Sequence, residues 1–214
     1  MAMRLELDHL VVAAASLAEG VAWCEQRLGI APTAGGQHVF MGTHNRVFNV
    51  SSPAFVRSYL EIIAVDPALP APAQARWFDL DDAAMRQRLK RGPQLVHWVA
   101  RCADIAAARG AMLAAGVDCG DPMQAERGTL RWRITLRADG RRPLAGAGPA
   151  LIQWGDAHPT DSLPPSGVRL DAFTVAAPTL TSLLPGDVSG AGSVPLTAVL
   201  TTPCGVVTLS SGAA

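Results

Sequence analysis

The chain repeats itself, and the repeat limits what it can fold into. LDHLVV, residues 7–12, is a strand-like run with one histidine, His9, and seven residues later Ser16 opens SLAEGVAWCEQRLG. Ser16 and Glu19 have capping-box spacing, Leu17, Val21, Cys24 and Leu28 recur at helical intervals, and Gly29 closes the segment. LVHWVARCADIAAARGAMLAAG repeats the pattern: His97 in an apolar strand, Asp104 seven residues on as N-cap, a stripe of Ile105, Ala108, Met112 and Ala115, and Gly116 as C-cap. A fainter third copy, LDAFTVAAPTLTSLL, has Ala172 in the histidine's place and Thr179 at the start of a short helix. Units that cannot bury their apolar faces alone must pack on one another.

Strand candidates follow each helix. They are QHVFM, THNRVFNV and YLEIIAV in the first copy; in the second they are the stretch before GTLRWRITLR, that stretch itself and PALIQWG. The order predicts an α+β fold of two βαβββ modules, residues 1–66 and 95–155, pairing into one curved, partly closed mixed sheet with helices outside. Residues 67–94 read as a Pro-rich linker with a short helical piece, and 156–168 as a connector. Residues 169–214 read as a C-terminal βαββ half-module whose last strands flank a Pro-Cys-Gly turn.

Composition removes several classes of function. Eighteen basic residues balance eighteen acidic ones, and the arginines are scattered, without the basic face that nucleic-acid binding needs. No apolar run is long enough to span a bilayer and the N-terminus has no signal-peptide pattern, so a cytoplasmic protein is expected. Cys24, Cys102, Cys119 and Cys204 are widely spaced and read as free core thiols. A GxSxG elbow and a Gly-rich nucleotide turn are both missing.

Alternation along strands places the polar residues on faces. It groups His9 with Leu7 and Val11, and Glu61 with Tyr59 and Ile63. A carboxylate inside YLEIIAV needs a metal, an arginine or a solvated pocket to offset its lost hydration. In LRWRITL, Arg131, Arg133 and Thr135 alternate with Leu130, Trp132, Ile134 and Leu136, and the polar set is assigned to the open face. His97 repeats the place of His9, and Gln153 in ALIQWG that of Glu61. Each has a plainer alternative: a hydrogen-bonded core histidine for His9, bonds within the sheet for His97 and Gln153, a solvated side chain for Arg133. His44 and Asn45 of GTHN fit either turn chemistry or substrate contact. His158 reads as structural, with a pocket lid as its second reading, and the tryptophans as packing.

Paired strand-helix-three-strand modules, with a candidate ligand on the first and last strand of each, resemble the vicinal oxygen chelate superfamily of glyoxalase I, extradiol dioxygenases and bleomycin-resistance-type binding proteins. LDHLVVAAASLAEGVAWCEQRLGIAP, GTHN, YLEIIAVDP, LRWRITL and LIQWGDAHPTDSLP resemble, more narrowly, its glyoxalase-like family, over nearly the whole chain. The resemblance implies a divalent metal (Zn, Ni, Mn or Fe) held by His9, Glu61, His97 and Gln153, with open positions for two adjacent substrate oxygens. Glu61 would be both ligand and base, and His44, Asn45, Tyr59 and Arg133 would contact substrate. Gln153 departs from the pattern by offering a neutral amide where a carboxylate is usual. The implied function is a metal-dependent lyase, isomerase or dioxygenase acting on a small oxygen-rich molecule. The alternative is a metal-free protein that binds or sequesters a small molecule in the same cleft. With both modules on one chain a complete cleft per chain is expected, and a homodimer is left open.

Overall fold

Capping sets the helices. Ser16 accepts a hydrogen bond from the Glu19 amide, so α1 (Leu17–Leu28) starts there and ends at Gly29, which takes the left-handed conformation at φ 73°. Asp104 accepts from the amides of Ala106 and Ala107 at the start of α3 (Ile105–Ala114). The computed structural model describes residues 5–186 and 188–212. Around these helices lie β1 (Glu6–Ala13), β2 (Thr33–His38), β3 (Thr43–Asn49) and β4 (Tyr59–Val65) in the first module, and β5 (Gln94–Arg101), β6 (Asp121–Arg127), β7 (Leu130–Leu136) and β8 (Ala150–Trp154) in the second. A short α2 (Ala83–Leu89) lies between the modules.

The eight strands form one sheet in the order β2-β3-β4-β1-β5-β8-β7-β6. β1 runs parallel to β4 and antiparallel to β5, so the two modules join through their first strands. The sheet is curved and nearly closed, with β2 and β6 at its edges, and the fold is α+β as expected. The third copy, β9 (Arg169–Ala176), β10 (Val188–Ser189), β11 (Ala191–Thr202) and β12 (Gly205–Ser210), forms a separate four-stranded sheet. Its expected helix is reduced to a 3-10 turn, Pro178–Leu180. Pro178 and Pro185 leave too few residues between them for a stable helix.

Apolar side chains form two layers. On the convex side Leu10, Val12, Leu60 and Ile62 pack with Cys24 and Leu28 of α1, Ile105 and Met112 of α3, and Phe173 and Leu200 of the small sheet. On the concave side Val11, Ile63, Val99, Trp132, Ile134 and Ile152 pack with Trp77 and Phe78 from the linker between modules. Among the described residues no helix is long and apolar enough to cross a membrane. All four cysteines are free, but Cys204 is exposed and so is no core thiol.

Two local departures from the sequence expectation bear on the cleft. The strand expected at QHVFM lies earlier, at Thr33–His38, and Val39–Met41 is a 3-10 turn. Gly35 is strand rather than turn because β2 runs so close to β3 that a Cβ there would lie 2.2 Å from the Asn45 carbonyl. In β1, Leu7 pairs with Ala100 and His9 with Val99, leaving Asp8 as the extra residue of a β-bulge. The bulge resets the alternation, so Leu7 joins Leu10 in the convex layer instead of sharing a face with His9.

Candidate functional site

A chain of hydrogen bonds begins at the bulge. Asp8 is fully buried. Its Oδ1 lies 2.6 Å from His9 Nδ1, and its Oδ2 accepts from Trp154 Nε1 at 2.9 Å, His158 Nε2 at 3.0 Å and Arg101 at 3.4 Å. Burial alone would favour the neutral acid, but the bonds from His158 and His9 outweigh it and hold the Asp8 carboxyl far below the usual range. Asp8 is therefore an acceptor only. Nδ1 of His9 must carry a proton, which leaves Nε2 as the atom that faces the cavity.

Across that cavity stands Glu61, placed by the β1–β4 register that pairs it with Val11. Its Oε1 accepts from Asn45 Nδ2 at 2.6 Å, and its Oε2 lies 3.7 Å from His9 Nε2. Asn45 Oδ1 in turn accepts from the Gly36 amide at 2.8 Å and from Arg127 at 3.3 Å. Tyr59 stacks on His9, with ring centroids 4.5 Å apart, and burial pushes its phenol well up, so it stays protonated. His38 lines the same cavity, bonded to Thr43 Oγ1. Burial lowers it to about 4, which makes it neutral at pH 7. The cavity measures about 40 Å³.

The other expected site residues lie elsewhere. His97 is on the concave side, but its Nε2 accepts the Ala150 amide at 3.1 Å, and Phe78 covers its ring at 5.0 Å. Trp77 and Phe78 line both the His9 cavity and a smaller one at His97, so the linker divides the concave face. Gln153 faces the convex side, where its Oε1 accepts from the Ile105 amide at 3.0 Å and from Arg133 at 2.6 Å. The register explains this: β5–β8 pairs Val99 with Ala150 as β1–β4 pairs Val11 with Glu61, so Ala150 holds the place of Glu61. Arg133 points outward because Trp132 and Ile134 fill the concave side of β7. His44 turns away from Asn45, toward Asp66 at 3.4 Å.

Of the expected metal shell, only His9 and Glu61 face each other. Among the described residues no three His, Cys, Asp or Glu side chains come together as a metal site. His97 Nε2 is committed to a backbone amide, Gln153 is on the other face, and Asn45 turns its amide nitrogen to Glu61. Two donors do not make the shell a divalent ion needs, so these residues do not fit the implied metal.

Sequence reading missed Asp8, His38 and Arg127. Alternation put Asp8 opposite His9, and a bulge leaves no mark in the sequence. Arg127 shares a face of β6 with buried Ala125, two residues before it.

Comparison with known proteins supplies the family. The glyoxalase-like domain pattern matches residues 7–184, and no curated protein matches the chain. A solved hypothetical protein from Staphylococcus aureus shares the fold at 14% identity and a TM-score of 0.56, covering 97% of this chain and 86% of its own. Methylmalonyl-CoA epimerase from Mycobacterium tuberculosis matches at 20% identity and a TM-score of 0.41, over 73% of this chain and 91% of its own. A methylmalonyl-CoA epimerase in complex with methylmalonyl-CoA and NH4+ matches at 17% identity and a TM-score of 0.44, over 72% and 98%. With the family pattern spanning most of a paired-module fold, the chain belongs to the glyoxalase-like domain family.

Proposed function

We propose that this protein is a proton-transfer enzyme, of the isomerase or lyase type, acting on a small oxygen-rich molecule with Glu61 and His9 as its acid-base pair. The observation that carries this reading is the 3.7 Å gap between Glu61 Oε2 and His9 Nε2 across a buried cavity. The gap is too long for a hydrogen bond. Asn45 holds the carboxylate from one side and Asp8 holds the imidazole from the other, so the two reactive atoms look into one space.

With His9 protonated on both nitrogens, Glu61 Oε2 takes the proton from a carbon next to a carbonyl. The C–H electron pair moves into the carbonyl, giving an enolate, and His9 Nε2 delivers its own proton to that enolate. The carboxyl is then protonated, the imidazole neutral and the substrate isomerised; return of the proton from Glu61 to His9 resets the pair. Positioned acid-base groups of this kind contribute on the order of 10²- to 10⁴-fold in rate. No step runs through a divalent ion, because Zn, Ni, Mn or Fe would find two protein donors here. The four free cysteines support a reducing compartment such as the cytoplasm.

A second reading rests on the walls of the cleft, where Tyr59, Trp77, Phe78, Trp132 and Trp154 offer aromatic faces to a bound ring or carbonyl plane. On that reading the protein sequesters a ligand without reacting. Deuterium incorporation separates the two. In D2O, proton NMR of 2-oxobutyrate and hydroxyacetone is expected to show protein-dependent exchange next to the carbonyl, lost in Glu61→Gln and His9→Asn. Binding without exchange in the wild type overturns the enzyme reading in favour of sequestration.

A further inference from the structure

We infer that the substrate carries a carboxylate and that Arg127 is the residue that receives it. Arg127 ends β6, one edge of the sheet, and reaches across the seam to β2 and β3 of the other module, where it donates to Asn45 Oδ1. Gly36 makes the seat: a Cβ there would lie 2.5 Å from Arg127 Cδ and 2.7 Å from its terminal nitrogen. The guanidinium thus forms part of the wall of the Glu61 cavity.

Its pairing sets it apart from the other arginines that reach inside. Arg76, Arg101 and Arg142 meet carboxylates at 2.8, 2.6 and 2.6 Å. Arg127 has no carboxylate within 4.0 Å among the described residues, and its bond to Asn45 uses one of five N–H donors. A planar fork left open in a cavity wall matches a carboxylate, which accepts two parallel bonds. The cavity already holds the charge of Glu61, with that of Asp8 buried behind His9, so an anion enters only where a cation offsets them. This inference rests on the proton-transfer reading only for the position of the reacting carbon, which comes within reach of both Glu61 Oε2 and His9 Nε2 when the carboxylate sits on Arg127. A small 2-oxo or 2-hydroxy carboxylate meets both demands.

The test is ligand-observed NMR with 2-oxobutyrate and its neutral amide, 2-oxobutanamide, on the full chain. Wild type is expected to bind the acid about tenfold more tightly than the amide, the worth of one charged pair of hydrogen bonds. Arg127→Met is expected to erase the preference. Gly36→Ala keeps the guanidinium but displaces it from its seat, and is expected to weaken the acid alone. Circular dichroism melting checks that both variants fold. Equal binding of acid and amide by wild type, an unchanged preference in Arg127→Met, or no binding of the acid overturns the inference. Acid binding without isotope exchange sinks the proton-transfer reading and leaves Arg127's role standing. Exchange on hydroxyacetone with no preference for the acid does the reverse.

Discussion

Asp8 Oδ1 lies 2.6 Å from Nδ1 of His9, although neighbours in a regular strand point to opposite faces. The bulge that brings them together makes Asp8 the positioning residue for the imidazole. Asp8→Asn removes the charge that favours a proton on Nδ1, and isotope exchange is expected to fall at least 10²-fold. Binding of 2-oxobutyrate is expected to change little, which separates mispositioning from collapse of the cleft. The variant should also lose about 3 kcal/mol in urea unfolding, because four donors lose their buried anion.

The outward placement of Gln153 and Arg133 has its own consequence. Gln153→Ala and Arg133→Gln are expected to leave exchange kinetics within about twofold of wild type, since neither side chain reaches the concave face. Gln153→Ala should still cost about 1 kcal/mol in urea unfolding, because the Ile105 amide at the start of α3 loses its acceptor. Loss of exchange in either variant would return them to the site.

Buried histidines make stability depend on pH. Burial lowers His38 to about 4 and His97 well below its ordinary 6.5. The unfolded chain therefore takes up protons that the folded one refuses, and the stability these groups contribute is complete above pH 6.5 and lost as pH falls toward 4. His38 should account for about 2 kcal/mol between pH 7 and pH 5, and His97 acts in the same direction. Urea midpoints are expected to drop over that range, and less steeply in His38→Gln. A flat profile would mean that neither group is held neutral by the fold.

Ala145 is exposed and sits at φ 53°, a left-handed conformation that a Cβ disfavours. Ala145→Gly is expected to raise stability by about 0.5–1 kcal/mol in the same urea assay, with no change in binding.

What could be read in the sequence was what is local. Ser16, Gly29 and Asp104 announce their helices because caps act within one turn, and the repeated strand-helix pattern carries the paired modules. The faces were legible only where alternation is unbroken: it grouped Tyr59, Glu61 and Ile63 correctly but failed at Asp8, where a bulge intervenes. Gln153 was equated with Glu61 by eye along the chain, whereas the parallel register that makes Ala150 its counterpart depends on strand pairing. Arg127 and the Trp77–Phe78 wedge reach the cleft from distant segments, so their contacts with Asn45 and His97 had no expression in local pattern.

Proton transfer by Glu61 and His9 without a metal is open to a direct check. Protein is dialysed against chelator, its metal content is measured, and deuterium incorporation into 2-oxobutyrate is followed with and without added Zn, Ni, Mn or Fe(II). Exchange is expected to persist in metal-free protein, to gain nothing from any of the ions and to disappear in Glu61→Gln. Exchange abolished by the chelator and restored by one ion would contradict metal-free transfer.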